Sequence, residues 1–163
     1  FVLRATAVPN VSIFSKNLYG IDLHEELEIV HEILRKENVK ADIRTESIFK
    51  TSFETGFFDC IVCVSVFEHF FDKEIDRAFD EIKRITKNKG SIYLGFPTKN
   101  IISNFIIKNI LGFEPDKIHP SGHSEIISKI NNHFDNFEVI KYPNFLPSNL
   151  GLYCVVKITN DTK

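Results

Sequence analysis

The sequence predicts a single α/β domain of the doubly wound kind, with a mostly parallel sheet and a C-terminal antiparallel hairpin. Three observations carry this expectation. Strand-like and helix-like patterns alternate along nearly all of the 163 residues, which implies a parallel sheet with helices on both faces. The run FDCIVCVS, residues 58–65, is a continuous apolar stretch of the length of a strand buried on both sides. Two alternating patterns, Phe137–Tyr142 and Leu152–Ile158, close the chain with only about nine residues between them, Pro143, Pro147 and Gly151 included. That gap is short for a helical crossover, so the two strands should pair antiparallel.

Taken in order, Phe1–Ala7 opens as a strand pattern that Pro9 and Asn10 break, and residues 11–16 leave room only for a short helix. Leu18–Asp22 (LYGID) is a short apolar run ending in an acid. Residues 24–37 place Leu27, Val30, Ile33 and Leu34 on one helical stripe, with acids early and Arg35 and Lys36 late, as the helix dipole favours. Ala41–Thr45 is the third strand, and a turn at 54–56 leads into FDCIVCVS. Asp72 is expected to cap a helix carrying Ile75, Phe79, Ile82 and Ile85 at helical spacing. Asn88-Lys89-Gly90 should stop it, so that GSIYLGF, 90–96, forms the fifth strand. Residues 100–111 read as an apolar helix ended by Gly112, and 124–134 as a further helix.

A chain of this length buries roughly 70% of its unfolded surface, enough for a real core. Hydrophobic residues make up 43% and the net charge is −2, which argues against disorder and against a strongly basic DNA binder. No run approaches the roughly 20 apolar residues of a spanning helix, so no transmembrane segment is expected. Three cysteines without framework spacing suit a reducing, cytoplasmic setting. Cys60 and Cys63 form C-x-x-C, but three residues apart on a strand they face opposite ways and cannot jointly grip a metal. Both are expected in the core. The chain has no methionine and starts in an apolar run, the expected look of one domain, 1–163, truncated at its N-terminus.

Four consecutive features then carry a resemblance. They are YGID before an amphipathic helix, ESIFKTSFETGFFD, FDCIVCVSVFEHF running from a strand into a turn, and the helix end and strand KRITKNKGSIYLGFP. Covering residues 18–97 in this order, they resemble the class I S-adenosylmethionine-dependent methyltransferases, whose fold is Rossmann-like. The resemblance implies methylation of a small-molecule or other acceptor, with S-adenosylmethionine as cofactor.

In an open parallel sheet a cofactor lies across the carboxyl ends of the strands, at the point where strand order reverses. The resemblance places Asp22 there, accepting from both ribose hydroxyls, with Leu23 beside it; a plain helix N-terminal acid is the competing role. Ser47 and Ile48 fall where the family surrounds the adenine, and Val64 and Ser65 where backbone meets the amino-acid end of the cofactor. His69, in the V-F-E-H-F turn, and His123, in IHPSGHS with His119, are candidate bases toward the acceptor; capping or simple solvation would equally place a histidine at these points. A quinone-methylating branch of the family carries a metal-binding glutamate where this chain has Ser65, so no metal is expected. Ile101, Ile102, Phe105, Ile106, Ile110 and Phe113 would cover the acceptor or pack as ordinary core.

One departure is plain. The family's first loop is G-x-G-x-G, yet no glycine precedes Gly20, and Thr6, Val8 and Asn10 stand in its place. A valine there resists positive φ and puts methyl groups where the cofactor should lie. A catalytically inactive, methyltransferase-like scaffold module is therefore the alternative. A nicotinamide-dependent dehydrogenase is a third reading, opposed by the terminal hairpin. Oligomeric state has no signature in the sequence.

Overall fold

A computed structural model describes residues 2–3, 15, 17–23, 27–100, 120–145, 147 and 150–161. The elements are β1 Val2–Leu3, β2 Leu18–Asp22, α1 Glu28–Lys36, β3 Ala41–Thr45, β4 Phe58–Val64, α2 Asp72–Ile85, β5 Thr86–Pro97, α3 His123–His133, β6 Asn136–Tyr142 and β7 Tyr153–Thr159, with one 3-10 turn at Phe67–His69. They build one sheet in the order β3-β2-β1-β4-β5-β7-β6. The first five strands run parallel, and β7 is antiparallel to both β5 and β6. The predicted Rossmann-like α/β fold and its closing hairpin are both present.

Burial follows the predicted periodicity. Ile75, Phe79, Ile82 and Ile85 of α2 are fully buried, together with Ile126 and Ile130 of α3, against Ile61, Ile92, Leu94, Phe96 and Val156 of the sheet. Leu34 of α1 packs on Leu18, with Val30 and Ile43 beside it. At roughly 25 cal/mol for each Å² of apolar surface removed from water, this packing is the main source of stability.

Several boundaries differ from the sequence reading. Phe71 occupies the position before α2 and Asp72 is its first residue; the Glu74 carboxylate accepts the Phe71 N–H at 2.8 Å, closing the entry that Asp72 was expected to cap. The strand β5 begins at Thr86, not Gly90, because Phe58 pairs with Thr86 and Cys60 already pairs with Ser91, leaving a bulge between. Asn160 fills that bulge, its Nδ2 donating to the carbonyls of Lys83, Thr86 and Lys87. Gly90 is needed there, since a Cβ would lie 2.7 Å from the Thr86 methyl and 2.8 Å from the Lys87 carbonyl. Cys63 is buried as expected, but Cys60 is exposed: near the amino end of β4 it lies on the opposite face from α2 and α3. Of the expected helices at 11–16 and 100–111, all but residues 15 and 100 lie outside the described residues, as does Gly112.

Candidate functional site

Strand order places the site. Between β2 and β4 sits β1, where the direction of winding reverses, and all three end at the same edge. Leu3 is level with both Ile21 and Cys63, so Asp22 and Val64 stand at matching heights on either side. Loops leaving such a reversal diverge and open a crevice. Here it is a cleft of about 270 Å³, lined by Ile21, Asp22, Leu23, Glu46, Ile48, Phe49, Ser65, Val66, His69 and Phe70.

Two strand ends supply its acids. Asp22 closes β2, and its carbonyl accepts the Glu46 N–H at 3.1 Å, tying the ends of β2 and β3 together. Glu46 turns its carboxylate to the Ser52 N–H, at 2.8 Å, and to the Ser52 hydroxyl. The apolar wall follows in sequence. Ile48 is buried, and the Phe49 ring stands 4.9 Å from that of Phe70 with the Arg77 guanidinium 5.1 Å from its centre, within reach of a cation–π attraction.

The segment that carries Ile48 and Phe49 is fastened from below by α2. Glu81, itself buried, accepts the Thr51 N–H at 2.6 Å and the Thr51 hydroxyl at 2.7 Å. Arg84 grips the same carboxylate through Nε and Nη2 and reaches the Phe53 carbonyl. The Arg84 hydrogen bond foremost, then those from Thr51, hold the Glu81 carboxyl down at about 2 against the cost of burial.

On the other side, a strained residue directly follows β4. Ser65 has φ 53°, the left-handed region that a non-glycine enters only at a cost. Its N–H donates to the Gly95 carbonyl at 2.7 Å, and its Oγ lies 3.2 Å from the Tyr153 hydroxyl. The chain then makes the 3-10 turn, burying Phe67 and Glu68 and presenting His69 at the cleft. Ser121 secures the turn, donating its hydroxyl to the Phe70 carbonyl at 2.6 Å.

The structure thus gathers Asp22, Leu23, Ile48, Ser65 and His69 into one cleft. It places three others elsewhere. Ser47 is outside the lining, its Oγ accepting the Phe49 N–H at 3.3 Å in a local turn. Val64 precedes the lining residue Ser65 and pairs with Gly95. His123 begins α3, and its Nδ1 accepts the Lys99 N–H at 3.0 Å; burial first, then the Lys141 charge, lowers its pKa. His119, Ile101, Ile102, Phe105, Ile106, Ile110 and Phe113, and the loop positions Thr6, Val8 and Asn10, lie outside the described residues. Sequence reasoning overlooked Glu46, Phe49, Phe70 and Tyr153. Glu46 directly follows the Ala41–Thr45 strand, a position that could have drawn attention to it.

The donor set has a clear chemical preference. A carboxylate at a strand end can accept paired hydroxyls, and an apolar wall of Ile48, Phe49 and Phe70 can pack against a flat ring. These are the contacts a nucleoside offers. The cleft lies just below the roughly 300–1,000 Å³ of small-molecule sites, suited to the nucleoside part of a larger ligand.

Comparison with known proteins agrees with the sequence resemblance. The methyltransferase domain family matches residues 5–94. Among solved structures, the PH0226 protein of Pyrococcus horikoshii superposes with a TM-score of 0.74 at 15% identity, covering 97% of this chain and 80% of that one. A SAM-dependent methyltransferase of Methanosarcina mazei gives 0.68 at 16%, covering 99% and 92%. The N-methyltransferase NodS of Bradyrhizobium japonicum gives 0.71 at 11%, covering 99% and 84%. At such identities these likenesses establish the fold alone. No curated protein matches in sequence.

Proposed function

The chain belongs to the class I S-adenosylmethionine-dependent methyltransferases, and on that premise we propose that its cleft binds S-adenosylmethionine and directs its methyl group to a small-molecule acceptor. The observation that carries the proposal is the single cleft shared by the acid ending β2 and the turn following β4, with Ile48 and Phe49 between them.

In this reading Asp22 accepts hydrogen bonds from the two ribose hydroxyls, while the wall of Ile48, Phe49 and Phe70 takes the adenine. The bound cofactor supplies a methyl group already activated on a sulfonium. When bound, it would pass that methyl to an acceptor lone pair, with the electron pair of the broken carbon–sulfur bond left on sulfur. Little chemistry is left to the protein beyond proximity and alignment. In the same reading His69, exposed and lining the cleft, takes a proton from an acceptor hydroxyl or ammonium.

Calorimetric titration tests the proposal. Wild-type protein should bind S-adenosylmethionine and ignore NADH. Asp22→Ala should weaken binding about 10- to 100-fold, the loss of charge-assisted hydrogen bonds. Silence of the wild type toward S-adenosylmethionine would favour the scaffold reading, to which Thr6, Val8 and Asn10 in place of glycines already lend weight.

A further inference from the structure

Strand order lays out the chemistry along the carboxyl edge of the sheet. The segment after β3 holds Ile48 and Phe49, β2 ends in Asp22, Ser65 directly follows β4, and β5 and β7 come next in strand order. If the nucleoside fills the β3–β2 side, its 5′ substituent points toward β4, and an attacking acceptor must arrive from β5 and β7.

On that far side three residues from three successive elements interlock. Tyr153 opens β7 opposite Pro97, and its ring leans back across β5. Gly95 makes room for it: a Cβ there would sit 2.9 Å from the Tyr153 hydroxyl and 3.1 Å from a ring carbon. The hydroxyl reaches the Oγ of Ser65 at 3.2 Å, and Ser65 is itself pinned to the Gly95 carbonyl in its left-handed conformation. Pairing puts Tyr153, Gly95 and Val64 on one face of the sheet. Cys63, Leu94 and Cys154, on the other face, join the core with α2 and α3. The Tyr153 hydroxyl is thereby brought over a glycine to the side chain of Ser65, a residue that lines the cleft.

Resting on the methyltransferase reading above, we infer that Tyr153 is a positioning residue that, through Ser65, sets the boundary between methyl donor and acceptor and favours the charged donor over the spent product. The physical ground is simple. The hydroxyl oxygens of Tyr153 and Ser65 are electron-rich, and together they attract a sulfonium and the polarised C–H bonds of its methyl group more than a neutral thioether.

The experiment compares S-adenosylmethionine with S-adenosylhomocysteine by calorimetry in the wild type, Tyr153→Phe, Gly95→Ala and Asp22→Ala. Tyr153→Phe deletes the hydroxyl, whereas Gly95→Ala keeps it and displaces it, so either variant that folds suffices. In both, the preference for S-adenosylmethionine over S-adenosylhomocysteine should fall about threefold or more, with S-adenosylhomocysteine affinity within about twofold of wild type. Asp22→Ala should weaken both ligands alike. Equal changes for the two ligands in Tyr153→Phe, or none, would overturn this inference and leave the functional reading intact. A wild type that binds neither ligand overturns both.

Discussion

The carboxylate of Glu81 on α2 holds Thr51 twice, by its backbone N–H at 2.6 Å and by its hydroxyl at 2.7 Å. Thr51 lies three residues beyond Ile48 in the segment that walls the cleft, so a contact in the protein interior determines where that wall stands.

Acid should expose this contact. With its carboxyl held at about 2 against an ordinary 4.5, Glu81 contributes stability that is full above pH 4.5 and disappears as pH falls toward 2. Discounted for the partial exposure of Arg84, the contribution is on the order of 2 kcal/mol. Urea unfolding of the wild type at pH 7, 4.5 and 3 should show the loss in the last interval. Glu81→Gln should begin lower, by about 2 kcal/mol, because Arg84 is left without its partner. It should then lack this group's part of the slope; parallel curves would count against the assignment.

The aromatic wall should report on ligand binding more than on folding. Phe49 is only half-buried, and it stands between Phe70 and Arg77. Phe49→Ala is expected to weaken S-adenosylmethionine about tenfold while lowering stability by about 1 kcal/mol. Calorimetry beside thermal melts separates the two effects.

Asn160 should behave in the opposite manner. It is fully buried, and its Nδ2 donates to three carbonyls where α2 passes into β5. Asn160→Ala removes that donor from buried acceptors and should cost about 2–3 kcal/mol, read as a shifted urea midpoint. Affinity of the remaining folded protein for S-adenosylmethionine should be unchanged, since the bulge is at the far end of the sheet.

His123 sets a mild limit at slightly acidic pH. Its Nδ1 accepts the Lys99 N–H only while that nitrogen is unprotonated, and burial lowers its pKa from 6.5. A depressed histidine adds stability above the ordinary value, and this is lost as pH falls through the folded value. Titration of the imidazole by NMR should give a midpoint below 6.5, with the Lys99 amide resonance moving in step. His123→Ala should remove both that transition and the associated stability loss.

Much of the framework was legible because it rests on local pattern. The bounds of LYGID and ADIRT coincide with β2 and β3, and the four isoleucine and phenylalanine positions of α2 are all buried. The short proline-containing gap foretold an antiparallel end. Reading failed where neighbours distant in sequence decide. Nothing in KNKG says that an asparagine some seventy residues later will fill a bulge, so β5 seemed to start late. The family resemblance brought attention to residues 47 and 48, but the turn leaves Ser47 facing its own backbone while Glu46 and Phe49 line the cleft beside Ile48. Tyr153 could not be linked to Ser65 before β7 was known to lie beside β5, and Cys60 seemed interior until its face of the sheet was known.

Ser65 shows what the cleft demands of the rest of the molecule. Its left-handed backbone carries a penalty of roughly 1–2 kcal/mol, one that glycine at that point would relieve. A chain selected for ruggedness alone would have made the exchange. Retaining serine instead forgoes durability for a hydroxyl at a fixed spot, so Ser65→Gly should give a hardier protein with a blunter grip on its ligand.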